Sequence, residues 1–264
     1  MPRFRLTIEY AGTRYSGWQI QTNAKTVQGE LNRALATALG KAPFETYGSG
    51  RTDAGVHALA QVAHLDTGAN LPPATLVSRV NDALPADINV LAVDRVAPRF
   101  HARHSAVARS YLYQITRRRT AFGKPYVWWV KDPLDIERMR AAARALTGFA
   151  DFRSFTDDDP EEKSTRVLVE QIAVAEDGDL ILVRVVGSHF LWKMVRRIVG
   201  VLVEAGRGAL TPEQVGKLLS GTSDLPPKLT APASGLFLER VFYEEPIDAG
   251  ELRAARTGGS SPVH

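Results

Sequence analysis

The chain has 264 residues, 44% hydrophobic and 23% charged, ordinary globular usage that excludes a wholly disordered chain, a collagen-like repeat or a coiled coil. It contains no cysteine, which rules out disulfides, thiolate zinc sites, iron–sulfur clusters and cysteine nucleophiles. Lys and Arg total 33 against 29 Asp and Glu, a net charge of +4, compatible with a polyanionic partner and equally with a mildly basic enzyme.

The opening Met1-Pro2-Arg3-Phe4-Arg5 has charge but no apolar h-region or small-residue cleavage site, which points to a cytoplasmic protein rather than a secreted one. Phe4, Leu6, Ile8 and Tyr10 then alternate with Arg5, Thr7 and Glu9, predicting a half-buried strand over Arg3 to Tyr10. A turn at Ala11-Gly12-Thr13 leads into a loop from Tyr15 to Gln21. Thr26 is placed to cap a helix from Val27 to Leu39, which Gly40 ends. Strands follow at Phe44 to Tyr47 and at about Leu59 to Leu65, with the glycine-rich run Gly48 to His57 between them. Pro72 and Pro73 open a helix that Pro85 closes, and Ile88 to Val96 is another strand.

From Phe100 the chain turns basic, with His101, Arg103, His104, Arg109 and Arg117 to Arg119 around a strand at Ser110 to Thr116. A junction falls near residue 105, giving an N-terminal half of residues 1–104 and a C-terminal half of 105–245. Asp132-Pro133-Leu134 starts a helix that Gly148 ends. Strands at Thr165 to Ala175 and Leu180 to Gly187 precede a helix from Leu191 to Ala205. The run Ile198 to Val203, broken by Gly200 and followed by Glu204, is far short of the roughly 20 apolar residues of a membrane span. Thr211-Pro212-Glu213-Gln214 is a capping box with proline at the first helical position. A last strand covers Leu236 to Tyr243, and residues 246–264 read as a loose tail. The mixture of strands and helices is α+β, two similar α/β halves whose half-sheets join edge to edge around a central cleft.

The run Gly48 to His57 carries one carboxylate, Asp53, with Arg51 two residues before it. It is no Walker loop, since no Gly-Lys-Ser/Thr follows, and no dinucleotide fingerprint, since a strand follows. Asp53 is then either a structural cap in a phosphate-gripping loop or a carboxylate presented at a cleft. His101 with His104, and His57 with His64, lack a third ligand at metal-binding spacing. Ser49 lacks the strand–turn–helix context of a nucleophile elbow. In the helix at 191–205, Leu191, Val195, Ile198 and Leu202 make the core face, Lys193 and Arg197 fit a solvated basic face, and Arg196 lies between apolar neighbours with its guanidinium free to enter a cleft. Tyr111 and Tyr113 share one strand face, where tyrosine either packs or stacks on a base. Trp18, Trp128 and Trp129 read as core or interface residues.

With these residues in place, the chain resembles the TruA-type tRNA pseudouridine synthases over about residues 3 to 243. The block Gly50-Arg51-Thr52-Asp53-Ala54-Gly55-Val56-His57 is similar to that family's catalytic loop. Four more blocks occur in order: Glu9 to Gly12 with Gly17-Trp18-Gln19; Phe100 to Arg103 with Arg109-Ser110-Tyr111; Met194 to Gly200; and Ala231 to Leu236. Ser110 stands where an arginine is common. The resemblance implies a pseudouridine synthase fold and a homodimer that holds one tRNA across both subunits. It implies isomerisation of uridine at positions 38, 39 and 40 of the anticodon stem-loop, with no metal, small-molecule or redox cofactor and no membrane. It assigns Asp53 as nucleophile or base, Arg196 as its ion-pair partner, Arg51 as a contact to RNA during base flipping, Tyr111 as the residue that stacks on the target base, and Leu236 as the apolar residue beneath the site. Two alternatives remain open: a nucleic-acid N-glycosidase, which would release free uracil, and a tRNA-binding chaperone without turnover.

Overall fold

The last strand of the chain lies in the middle of its sheet. In a computed structural model that describes residues 1–255, one mixed, mostly antiparallel sheet contains ten strands: β1 (Arg3–Tyr10), β2 (Phe44–Gly48), β3 (His57–Thr67), β4 (Ile88–Val96), β5 (Ala108–Thr116), β6 (Trp128–Trp129), β7 (Gly148–Asp151), β8 (Arg166–Asp177), β9 (Leu180–Gly187) and β10 (Leu236–Phe242). The order along its main path is β4-β1-β3-β10-β5-β9-β8-β7, with β2 on β3 and β6 on β5. Strand β10 runs parallel to β3 and antiparallel to β5, so it joins the strands of the first half to those of the second.

Residues of α1 (Val27–Leu39) and α2 (Pro73–Ala83) pack with β1, β3 and β4 in one apolar core. A second core gathers α3 (Ile136–Ala145), α4 (Met194–Gly206) and Val215 of α5 (Pro212–Lys217), with α6 (Leu225–Lys228) against it, over β5, β8 and β9. Because strand side chains alternate between faces, Leu236 and Leu238 of β10 point to the same side as their cross-strand neighbours Tyr113 and Tyr111 of β5. Leu236 belongs to the second core and Leu238 to the first, and Tyr111 packs against both. The two helical layers therefore cover the same face, and Tyr111 lies where they meet.

The local signals act as the sequence predicts. Strand β1 buries Phe4, Leu6, Ile8 and Tyr10 in strict alternation. The Thr26 side chain accepts a hydrogen bond from Gly29 N–H at the start of α1, and the capping box at Thr211 and Gln214 is complete. At Gly200 a Cβ would lie 1.7 Å from the carbonyl oxygen of Leu229. The missing side chain lets α4 press against the segment leading to β10.

Several expectations are corrected. Helix α4 begins at Met194 rather than Leu191, because Lys193 takes the left-handed conformation with φ 61°, which helical geometry does not allow. Trp192 thus precedes the helix and is exposed. Arg197, expected on a solvated face, is only 2% exposed; its guanidinium turns inward to pair with Asp157. Helix α3 starts at Ile136, since the Asp135 carboxylate caps it by accepting from Glu137 and Arg138 N–H. The stretch from residue 246 is not loose over its described part. Leu252, Ala254 and Ala255 pack on Leu112, Leu182 and Phe237, on the sheet face away from the helices. Arg184, in a buried pair with Glu239, donates to the carbonyls of Gly250 and Glu251. The rest of that stretch, 256–264, lies outside the described residues. Trp18 is buried, and Trp129 is exposed in the single chain with the Arg119 guanidinium over its ring, which leaves its reading as an interface residue open.

Candidate active site

Asp53 stands in the loop between β2 and β3, and the backbone of residues 12–18 holds that loop in shape. Trp18 N–H donates to Thr52 O at 3.1 Å, and Gly55 N–H donates to Tyr15 O at 3.2 Å. The Thr52 hydroxyl and the Tyr10 phenol share a hydrogen bond of 2.8 Å. Gly17 sits at φ +90°, and a Cβ there would lie 2.5 Å from Thr52 O; glycine satisfies both the conformation and the approach. The motif around Gly17-Trp18 is thus the support of the Asp53 loop. No helix follows the loop, so Asp53 is not a helix cap.

The carboxylate meets Arg196 of α4. Arg196 Nη1 lies 3.4 Å from Asp53 Oδ2, and both side chains are largely shielded from water. The guanidinium is aimed from its other edge, where Nε donates to Ala231 O at 2.7 Å. Ala231 N–H in turn donates to Arg196 O at 3.1 Å. The segment before β10 and the first turn of α4 thus hold each other, and Arg196 reaches across to the other half of the chain.

Tyr111, on β5, is half-buried, and the Phe190 ring meets it edge-on with centroids 5.1 Å apart. Burial, and next the negative charge of Asp53, push the Tyr111 phenol up to about 12, so it stays protonated through the neutral range. Leu236 is buried in one apolar cluster with Val56, Val195 and Ala231, which come from the Asp53 loop, α4 and the Arg196 acceptor segment. The fold therefore brings Asp53, Arg196, Tyr111 and Leu236 to one place. It does not pair Arg51 with them: Arg51 is exposed. A cavity of about 700 Å³ adjoins the loop, and Gly55, Arg119, Lys124, Trp128 and Ser234 are among its lining residues.

Two residues that the sequence reading named have supporting roles it did not assign. Arg109, two positions before Tyr111 on the same strand face, gives its N–H groups to carbonyls: Ser49 O at 3.2 Å, Arg103 O at 2.8 Å and Ser188 O at 2.8 Å. It ties the approach to the Asp53 loop to the end of β9, and its two-residue spacing from Tyr111 was the available signal. His57 Nδ1 accepts from Gly12 N–H at 3.0 Å, so its proton is on Nε2, which donates to Pro125 O at 2.9 Å. Burial lowers the His57 pKa and favours this neutral form. No sequence pattern announces those two carbonyl and amide partners.

The arrangement presents one carboxylate, one guanidinium and one aromatic face over an apolar floor. Such a carboxylate can attack an electrophilic carbon or remove a proton, and the ring can hold a planar base. Among the described residues no three His, Asp or Glu side chains gather as ligands for a metal ion, and no helix is long and apolar enough to cross a membrane.

A family profile described as tRNA pseudouridine synthase matches residues 6–105 and 142–244. The chain is 41% identical over 245 residues to the tRNA pseudouridine synthase A of Geobacter sulfurreducens, covering 92% of this chain and 100% of the relative. It is 44% identical over 241 residues to that of Syntrophotalea carbinolica, covering 90% and 95%. The identity to the Moorella thermoacetica protein of the same name is 41% over 247 residues, covering 92% and 100%.

Proposed function

The chain belongs to the tRNA pseudouridine synthase family, and from that premise we propose that it isomerises uridine to pseudouridine at positions 38, 39 and 40 of the tRNA anticodon stem-loop. The observation that carries this reading is the pairing of Asp53 with Arg196 beside Tyr111 and Leu236. It joins residues from both halves, and together they offer a flipped base a carboxylate, an aromatic face and an apolar floor.

The reaction breaks the bond from C1′ to N1, turns the uracil and joins C1′ to C5. The base first leaves its stack, which costs a few kcal/mol. Stacking on Tyr111 recovers roughly 1–3 kcal/mol of that. Arg51, exposed in the same loop, contacts the RNA as the base flips out. Asp53 then attacks C1′ or removes the C2′ proton; both routes need its negative charge, which the Arg196 guanidinium stabilises from 3.4 Å. Leu236 and the closed apolar surroundings keep water from the detached uracil. The chain works in the cytoplasm as a homodimer that holds one tRNA across both subunits.

The test incubates the purified chain with unmodified tRNA carrying uridines at positions 38–40 and maps pseudouridine in the product. Pseudouridine at those positions supports the reading. Release of free uracil would establish an N-glycosidase instead, and binding with neither product a chaperone.

A further inference from the structure

Lys193 is the one non-glycine residue with positive φ among the described residues, at φ 61°, and it stands immediately before the helix that carries Arg196. Such a conformation persists only where its surroundings over-determine it. Two side chains of one loop do so. Asp158 Oδ2 accepts from Trp192 N–H at 3.1 Å. Asp157 Oδ2 accepts from Lys193 Nζ at 2.8 Å, and its other oxygen takes the guanidinium of Arg197. Lys193 and Arg197 flank the first turn of α4, with Arg196 between them. Arg197 is buried at 2% exposure, and its Nε and Nη1 have no hydrogen-bond partner among the described residues. Among the described residues Asp157 is therefore the sole acceptor that keeps this guanidinium inside the protein.

We propose that Asp157 is a positioning residue for the isomerisation: by gripping Lys193 and Arg197 together it fixes the first turn of α4, so that Arg196 stays aimed at Asp53. The proposal rests on the pseudouridine synthase reading of the site. Without the Asp157 charge, Arg197 is left buried and unpaired and must seek water. The turn that carries Arg196 then loosens. Arg196 keeps its Ala231 acceptor, but its reach to Asp53, already 3.4 Å, has no slack for a shifted helix start. A misplacement of about an ångström is enough to cost on the order of a hundredfold in rate.

Three variants are compared with the wild type in single-turnover pseudouridine formation, tRNA filter binding, thermal melting and hydrogen exchange of the amides of residues 194–198. Asp157→Asn should lower the rate about tenfold to a hundredfold, leave tRNA affinity within about twofold, and speed exchange at 194–198. Asp157→Glu, which keeps the charge, should recover much of the rate. In Asp157→Asn with Arg197→Leu the buried charge is gone, so the melting temperature should return while the rate stays low. Recovery of the rate together with the melting temperature would show that Asp157 merely neutralises a buried charge and overturns the proposal. So would a loss that resides in affinity, or unchanged exchange in Asp157→Asn. A wild-type chain that forms no pseudouridine would refute the family activity instead, while the exchange measurement still decides whether Asp157 holds the turn.

Discussion

Arg196 donates to the Asp53 carboxylate across 143 residues of chain, while its Nε is held by the backbone carbonyl of Ala231. One planar fork thus serves two acceptors, which an ammonium cannot match. Asp53→Asn keeps the shape and can still accept from Arg196, but it has neither nucleophilicity nor basicity. Turnover should vanish while tRNA affinity holds or rises slightly, since one negative charge near the phosphates is gone. Arg196→Lys should lose about tenfold to a hundredfold in rate, on the scale of a misplaced catalytic group. Single-turnover assays beside filter binding check both; robust turnover in Asp53→Asn defeats the mechanism.

Tyr111 enters the reaction as a neutral phenol, since burial and the Asp53 charge hold its proton up to about 12. It can take the C5 proton only by passing its own to another base. Tyr111→Phe keeps the ring and should still flip, stack and cleave the glycosidic bond, with the later proton step slowed. Accumulation in the variant of a base already rejoined through C5 but still carrying its C5 proton is the expected result. Wild-type single-turnover rates would leave the ring as a stacking platform alone.

Acid should loosen the first half of the fold through its buried histidines. His64 Nδ1 accepts from Ala102 N–H. Burial first, then the charges of Arg3 and His101, lower His64 from 6.5 to about 4. Since the unfolded ring binds its proton more readily, the stabilisation is complete above about pH 6.5 and is lost as pH falls towards 4. His57, also lowered by burial, acts in the same direction. Melting temperatures measured across that range should fall, and His64→Gln should flatten the decline; a melting temperature constant from pH 6.5 to 4 contradicts it.

Salt should weaken tRNA binding steeply. Arg51, Arg103 and Arg119 are exposed, whereas Arg117 and Arg118 pair with Glu176 and Asp179 and Arg109 is spent on carbonyls. Each phosphate contact on duplex adds a slope of about −0.9 to log affinity against log salt. Arg103→Ala or Arg119→Ala should reduce that slope by about one, and a flat salt dependence in the wild type would rule the electrostatic account out.

Gly17→Ala tests the support of the Asp53 loop. The new Cβ meets Thr52 O at 2.5 Å and the backbone must leave φ +90°, a strain of order 1–3 kcal/mol. The loop should shift and the rate should fall by at least tenfold, with a smaller change in the urea midpoint because the sheet persists. A variant with full rate would mean that the loop adapts.

By itself the sequence determined the local elements and the chemical inventory. Strand β1 and helix α1 are bounded as predicted because alternation, Thr26 and Gly40 act within a few residues of themselves. The Asp53 loop, Tyr111, Arg196 and Leu236 were legible as blocks for the same reason, and through their resemblance to a known family. Short β6 and β7 gave no period to read. Which arginine faces the site was a tertiary matter. Arg196 and Arg197 are neighbours on one helix, and only the packing of α4 against Ala231 on one side and Asp157 on the other sends the first to Asp53 and buries the second. The same holds for β10, the last strand, whose place between β3 and β5 brings the two halves together. A strand's neighbours are chosen by the free energy of the whole sheet and its two cores, a quantity that no window of local sequence contains.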